Sequence, residues 1–173
     1  MKVRILKECG YAEALLGLSL SYDRPIEDMP PVAEKLCAKD DSESKFLRFI
    51  VVWLDIVAPR YWWCQMDTYH IGKEQQSEST MHTVMKRPLT IPDFATPPLL
   101  GQLEELNDLI ARGEFYLVKS NLPEGFLQRR IVVTNYQTLR RIIRQRHRHK
   151  LPEWQILITT ILDQIEHGEL LCD

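Results

Sequence analysis

The sequence lacks any long hydrophobic run. Its longest uninterrupted apolar stretch is Phe49 to Leu54, far short of the roughly 20 residues that a membrane-spanning helix needs. It also lacks a G-x-G-x-x-G turn, a Walker-type phosphate loop and a G-x-S-x-G elbow, so the usual signatures of dinucleotide-binding domains, P-loop enzymes and α/β hydrolases are missing. Cysteine is sparse. Cys9, Cys37, Cys64 and Cys172 form neither a C-x-x-C pair nor a zinc-ribbon spacing, which predicts reduced thiols. His147 and His149 flank Arg148 and face different sides of any helix, a poor metal pair, and no metal is expected. There is no internal repeat and no low-complexity segment.

What remains is a chain of 173 residues, 45% hydrophobic and 27% charged. That composition predicts one globular domain over residues 1–173, able to bury roughly 70% of its unfolded surface without disulfides or metals. Lys2, Arg4 and Lys7 precede the apolar stretch Ala12 to Leu20 in the manner of a secretion signal, but Glu8 and Glu13 interrupt it. A cytoplasmic protein is expected. The formal charge of −2 hides a segregation. From Gly125 to Pro152 there is no acidic residue, while Arg129, Arg130, Arg140, Arg141, Arg144, Arg146, Arg148 and Lys150 supply eight of the 22 basic ones. Such a concentration points to an anionic partner: a nucleic acid, a phosphorylated small molecule or an acidic protein surface.

Ala12 to Tyr22 predicts a short helix ended by Asp23, Arg24 and Pro25, and Pro31 to Ala38 a second. Lys39 to Lys45 is a polar connection. Phe46 to Val57, apolar and rich in β-branched and aromatic residues, predicts a buried strand closed by Ala58 and Pro59. Pro88, Pro92, Pro97 and Pro98 mark a long loop, after which Leu99, Leu100, Leu103, Leu106, Leu109 and Ile110 recur at helical spacing until Gly113. Beyond a short apolar stretch at Ile131 to Val133, Thr134 and Gln137 form a capping box for a helix to about His147, with Leu139, Ile142 and Ile143 as its apolar stripe. Pro152 opens a last helix that buries Trp154, Leu157, Ile158, Ile161, Leu162 and Ile165.

Arg146 is the sharpest chemical signal. It follows Ile143 by three residues and Ile142 by four, so it shares their face, whereas Arg140, Arg144 and Arg148 fall mostly off it. A guanidinium on an apolar face needs a partner, and its planar fork suits a carboxylate or a phosphate. An internal ion pair and a bound anion are equally consistent with that placement. The polar run Glu74 to His82 offers hydrogen-bonding groups for a ligand pocket, although a solvated loop is the commoner meaning of such composition. Tyr61, Trp62 and Trp63 could stack on a base but more often signify core or subunit interface.

The order of these features resembles the flavin-dependent thymidylate synthases, the ThyX family. That family's signature Arg-His-Arg-x-x-Ser-x-Asn-Glu-x-Ser-x-Arg-Tyr corresponds here, one residue shorter, to Thr68-Tyr69-His70 running through Gln75 and Ser77 to Ser79-Thr80. Gln65 precedes it; Lys119 stands ahead of Leu122-Pro123, Asn135 to Leu139 leads to Arg146, and Pro152-Glu153-Trp154-Gln155 follows. The resemblance is clearest over residues 46–165. It implies an α+β fold with a central antiparallel sheet and flanking helices, and a homotetramer with nucleotide sites at subunit interfaces. On the nucleotide side, Gln65, Ser77 and Arg146 match family ligands, Lys119 keeps a charge without the fork, Gln75 replaces a glutamate and Ser79 an arginine. On the flavin side, Thr68, Tyr69 and His70 replace the Arg-His-Arg grip, Asn135 is retained, and Arg141 stands where the family typically has a neutral polar group.

These residues predict a protein that binds a nucleotide or nucleotide-derived phosphate ligand, without thymidylate synthase catalysis and with no resident cofactor, sequestering or sensing that ligand. Two alternatives stay open. One is a divergent synthase that methylates dUMP with FAD, NADPH and methylene-tetrahydrofolate, the flavin being held by other contacts. The other is a nucleic-acid-binding protein using residues 129–150 as a basic stripe, against which the apolar-face position of Arg146 argues.

Overall fold

The computed structural model describes residues 1–39 and 42–171. Its centre is strand β2 (Val51–Pro59), whose sequence alternates cleanly: Val52, Leu54, Ile56 and Ala58 are fully buried, while Val51, Trp53, Asp55 and Val57 are half-exposed on the other face. β2 pairs antiparallel with β1 (Lys2–Cys9) on one side and with β4 (Leu127–Asn135) on the other, and β4 pairs antiparallel with β3 (Lys73–Ser77), giving the order β1-β2-β4-β3. The register runs without a break from Val51 opposite Asn135 to Pro59 opposite Leu127. It shifts once in the β1–β2 pair, between Ile5 and Lys7.

Helices cover the buried face. They are α1 (Tyr11–Tyr22), α2 (Pro30–Cys37), α3 (Arg60–Met66), α7 (Tyr136–Arg146) and α8 (Pro152–Gln164), whose inward residues join β2 and β4 in one apolar core. Trp62, Trp63 and Trp154 sit at its centre, fully buried. The aromatic run after β2 is therefore core, which removes Trp62 and Trp63 as bases' stacking partners. A smaller apolar cluster forms where α5 (Gln102–Ala111) and α6 (Phe115–Asn121) fold back on the proline-punctuated loop: Leu106, Val118 and Leu122 meet Val84, Leu89 and Phe94. α4 (Thr80–Thr83) is a single turn. At Gly10, where β1 turns into α1, φ is +99° and a Cβ would fall 2.0 Å from the Phe49 carbonyl oxygen, so only glycine fits.

The α+β architecture with a central antiparallel sheet is as expected, and so are α1, α2, the proline-rich loop and α8. Several expectations are corrected. Phe46 to Phe49 is a 3-10 turn and its cap, so the strand starts at Val51, not Phe46. Lys73 to Ser77 is an edge strand, not a solvated loop, with Lys73 buried. Thr134 is no cap: it lies in β4 and donates to the Gly72 carbonyl at 2.7 Å, while Asn135 caps α7 by accepting from the Thr138 amide at 3.0 Å. Arg140 is not off the buried face but 1% exposed, because α7 is enclosed over an arc that also takes in Tyr136 and Thr138. Cys9, Cys37 and Cys64 are free thiols. Cys172, and residues 40–41 of the polar connection, lie outside the described residues. No helix among the described residues is long and apolar enough to cross a membrane.

Candidate functional site

Arg146 ends α7, where the helix dipole favours a cation. Its guanidinium packs against two aromatic rings that touch edge to face, 4.8 Å from the Trp154 centroid and 5.5 Å from that of Tyr69. Its Nε donates to the Tyr69 hydroxyl at 2.9 Å, and that hydroxyl donates to Gln145 Oε1 at 2.9 Å. Trp154 is fixed in turn, its indole N–H donating to Gln65 Oε1 at 3.0 Å. Gln155 reaches back from α8 to the carbonyls of Arg146 and His147, at 3.2 and 2.8 Å, and pins the helix end. Gln65 comes from the last turn of α3, Tyr69 from the loop after it, and Trp154 from the first turn of α8. No carboxylate among the described residues pairs with Arg146. The internal ion pair is thus replaced by aromatic packing, which orients the fork and leaves its two terminal nitrogens open to an anion.

A second cluster lies beside it. Asp67, which caps α3, accepts from Arg130 at 3.0 and 3.1 Å and from Gln75 at 2.6 Å, with the Lys73 amine 3.7 Å away. Arg130 also stacks over Trp63 at 4.4 Å. Burial pushes the Asp67 carboxyl up, but the hydrogen bonds from Gln75 and Arg130 and the neighbouring charges outweigh it and hold the group below the ordinary carboxylate range. Burial pushes the Lys73 amine down, and Asp67 offsets only part of that. Lys73, Arg130 and Asp67 together carry an excess positive charge.

The remaining sequence-chosen residues fall elsewhere. Lys119, on α6, donates to the Thr80 hydroxyl, next to Ser79. Ser77 is exposed and lines a 540 Å³ cavity with Gln76, Glu78, Arg129 and Ile131. Thr68, Tyr69 and His70 line a groove of 260 Å³ with Ile71, Arg141 and Gln145, and Asn135 lines a neighbouring one of 360 Å³. Within one chain, Gln65, Tyr69 and Arg146 come together, while Gln75, Lys119 and Ser79 belong to other clusters. Sequence reasoning passed over Asp67, Lys73, Arg130 and Gln145. The Asp67–Arg130 pair spans 63 positions and has no local signal.

The arginines of residues 129–150 do not form one stripe. Arg129 pairs with Asp55 at 2.7 Å on the open face of the sheet, Arg130 turns to Asp67, and Arg140 is buried. Glu8, Glu166 and His167 bring ligand atoms within 4.8 Å of one another, a spacing that could hold a metal ion. Glu8 is already engaged there, accepting from the Tyr136 hydroxyl at 2.5 Å and the Glu166 amide at 3.1 Å.

No protein-family model matches the chain, and no curated protein matches it by sequence. Solved structures do. The flavin-dependent thymidylate synthase ThyX from Helicobacter pylori, complexed with FAD and dUMP, superposes with a TM-score of 0.82 at 16% identity, covering 99% of this chain and 98% of the other. A second structure of ThyX from that organism, also with FAD and dUMP, gives 0.83 at 17% identity, over 99% and 97%. The chain has the ThyX fold. In this chain Arg146, Gln65 and Tyr69 converge from α7, α3 and the loop before β3.

The signature positions of the ThyX pattern fit a flavin poorly. Thr68 spends its hydroxyl on the Gln65 carbonyl at 2.7 Å, Tyr69 spends its own on Gln145, and His70 is exposed on the groove wall. No permanent positive charge stands at any of the three, so no flavin-dependent step follows from these residues.

Proposed function

We propose that this chain binds a nucleotide or nucleotide-derived phosphate ligand without catalysing thymidylate synthesis. It acts as a homotetramer in which the clusters around Arg146, Gln75 and Ser77, and Lys119 complete one another across subunit interfaces. The observation that carries the reading is Arg146: an oriented guanidinium with open terminal nitrogens, packed against Tyr69 and Trp154 and free of any carboxylate among the described residues. Structures of the same fold hold FAD and dUMP, which supports ligands of the nucleotide class. Gln65 and Gln75 offer amides to a base, while Lys119, beside Ser79, offers a charge to a phosphate. The uncharged triplet Thr68-Tyr69-His70 is the reason for reading the site as one that holds its ligand without a resident flavin. Sequestration or sensing of a nucleotide in the cytoplasm follows as the role.

Titration calorimetry of the full chain with dUMP and related nucleotides tests this. Arg146→Ala is expected to weaken binding by roughly tenfold to a hundredfold, the worth of one or two charge-assisted hydrogen bonds. Unchanged affinity would refute the role of Arg146. A yellow purified protein that rescues a thymidine auxotroph would instead establish the divergent synthase.

A further inference from the structure

We propose that the open face of the sheet is an interface between two copies of this chain, packed sheet on sheet about a two-fold axis that runs along the strands. This names one interface of the proposed homotetramer, and a dimer built in this way stands without that reading. The helices of the main core lie on the other face. An antiparallel sheet with one face in water alternates apolar residues inward with polar ones outward. Here that holds only at the edges. On the two central strands the outward positions carry Val51, Trp53 and Val57 from β2 and Ile131 and Val133 from β4, all half-exposed. The carboxylate among them, Asp55, is neutralised by Arg4 at 3.1 Å and Arg129 at 2.7 Å. An apolar centre with a charged rim is the make-up of a protein–protein contact.

The rim identifies the occupant as a second copy, because its two edges carry opposite charge. The ladder fixes three rows across the face: Lys7-Trp53-Val133-Glu74, Arg4-Asp55-Ile131-Gln76 and Lys2-Val57-Arg129-Glu78, the last closed by the Glu78 amide donating to the Arg129 carbonyl at 2.8 Å. Each row begins with a cation on β1, and two of the three end with a carboxylate beside β4. The Lys7 amine already leans over the face, 5.7 Å from the Trp53 ring. A half-turn about an axis parallel to the strands lays β1 of one copy over β3 of the other and keeps each row opposite itself. Lys7 then meets the partner's Glu74, Lys2 the partner's Glu78 and Trp53 the partner's Val133, each contact made twice. An axis along the rows would set Lys7 against the partner's Lys2, which like charge disfavours. Four strands at about 4.8 Å and seven residues at about 3.4 Å give a flat footprint of roughly 440 Å² per copy, which side-chain relief brings to the ~1,000 Å² total of a specific interface. Two cavities of 540 and 660 Å³ open on this face around Glu78 and Arg129 and leave room for side chains from the second copy.

The test is a charge swap read by analytical ultracentrifugation of the full chain. Lys7→Glu and Glu74→Lys each bring like charges together twice and are expected to raise the dissociation constant at least about tenfold, halving the mass of the assembly, with unchanged circular dichroism. The Lys7→Glu/Glu74→Lys double variant is expected to associate like wild type. So is a mixture of the two single variants, since opposite charges then meet at both positions of the mixed pair. Lys2→Glu with Glu78→Lys provides a second, independent swap should either reversal disturb folding. A tetramer that neither reversal affects overturns this face and leaves the homotetramer standing. Association that is lost in the single variants and not regained in the double variant or the mixture overturns the register. A wild-type dimer that responds to the swap upholds the face and sinks the tetramer. A wild-type monomer at about 100 μM refutes both.

Discussion

Tyr69→Phe isolates the scaffold of the site from its charge. The ring of Tyr69 is 4% exposed and would stay, with its packing against Trp154 and Arg146; only the hydroxyl is lost. That hydroxyl makes two bonds, one neutral to Gln145 and one with the charged Arg146. The first is worth about 0.5–1.5 kcal/mol and the second about 1.5–3 kcal/mol. Arg146 is half-buried and can recover some hydration, so the lower end applies and the expected cost is about 2 kcal/mol. In a chain of this length each kcal/mol moves the melting temperature by about 2–4 °C, which predicts a fall of about 4–8 °C by differential scanning calorimetry. The guanidinium also loses the bond that sets its plane, so dUMP affinity should fall by about tenfold in titration calorimetry. A variant that melts within about 1 °C of wild type and binds dUMP equally would show that Tyr69 does not orient Arg146, and the reading of the clamp would fall with it.

Gly72→Ala should cost about 2–3 kcal/mol: roughly 1–2 for the left-handed backbone of an alanine and about 1 for the displaced Asn135 cap of α7, readable as a clear drop in chemical-denaturation midpoint. The hydrogen bond from Arg87 holds the Asp93 carboxyl at about 2, against an ordinary 3.8. A depressed carboxylate stabilises above its unfolded value and loses that contribution as pH falls through the folded one, so stability should decline between about pH 4 and 2. Asp93→Asn should flatten that limb in acid denaturation. Burial, then Glu153, pushes the Tyr61 phenol up to about 12, so its contribution is complete below pH 10 and disappears as pH rises through 12. Alkaline melting curves of Tyr61→Phe should lose part of that decline, and curves identical to wild type would contradict the Tyr61–Glu153 coupling.

Where one face of an element is apolar and continuous, the sequence revealed it. β2 and α8 were legible because Val52-Leu54-Ile56 and Trp154-Leu157-Ile158-Ile161 carry clean periods of two and of one helical turn. β1 and β3 were not. Their exposed positions carry Lys2, Arg4, Glu74 and Gln76, and at a sheet edge half the residues face water, so little apolar contrast remains. α6 is seven residues with one fully buried side chain, Val118, too short to show a period. Arg146 was legible through its place on the apolar stripe of α7. What holds it was not, since Tyr69 lies 77 positions away and its contact follows from the fold alone. Arg140 misled for a related reason: Tyr136, one turn earlier, reads as polar at its tip but is fully buried, and it widens the inward face.

The uncharged triplet and the basic helix are one feature, not two. Tyr69 is nearly sealed from water between two guanidinium groups, each under 6 Å from its ring. A cation at that position would meet like charge from both, and at an effective dielectric near 20 each pair at such a distance costs about 3 kcal/mol. A neutral ring with a hydroxyl instead offers its face to both arginines and its oxygen to Arg146. Thr68 and His70 line the same groove as Arg141, so a permanent charge at either would also repel it, more weakly because both are exposed. Placing an Arg-His-Arg triplet at residues 68–70 would therefore require a neutral residue at position 141 as well. The positive charge that faces the groove stands on α7 and on the turn before β2, and the loop before β3 supplies the neutral support that lets it stand there.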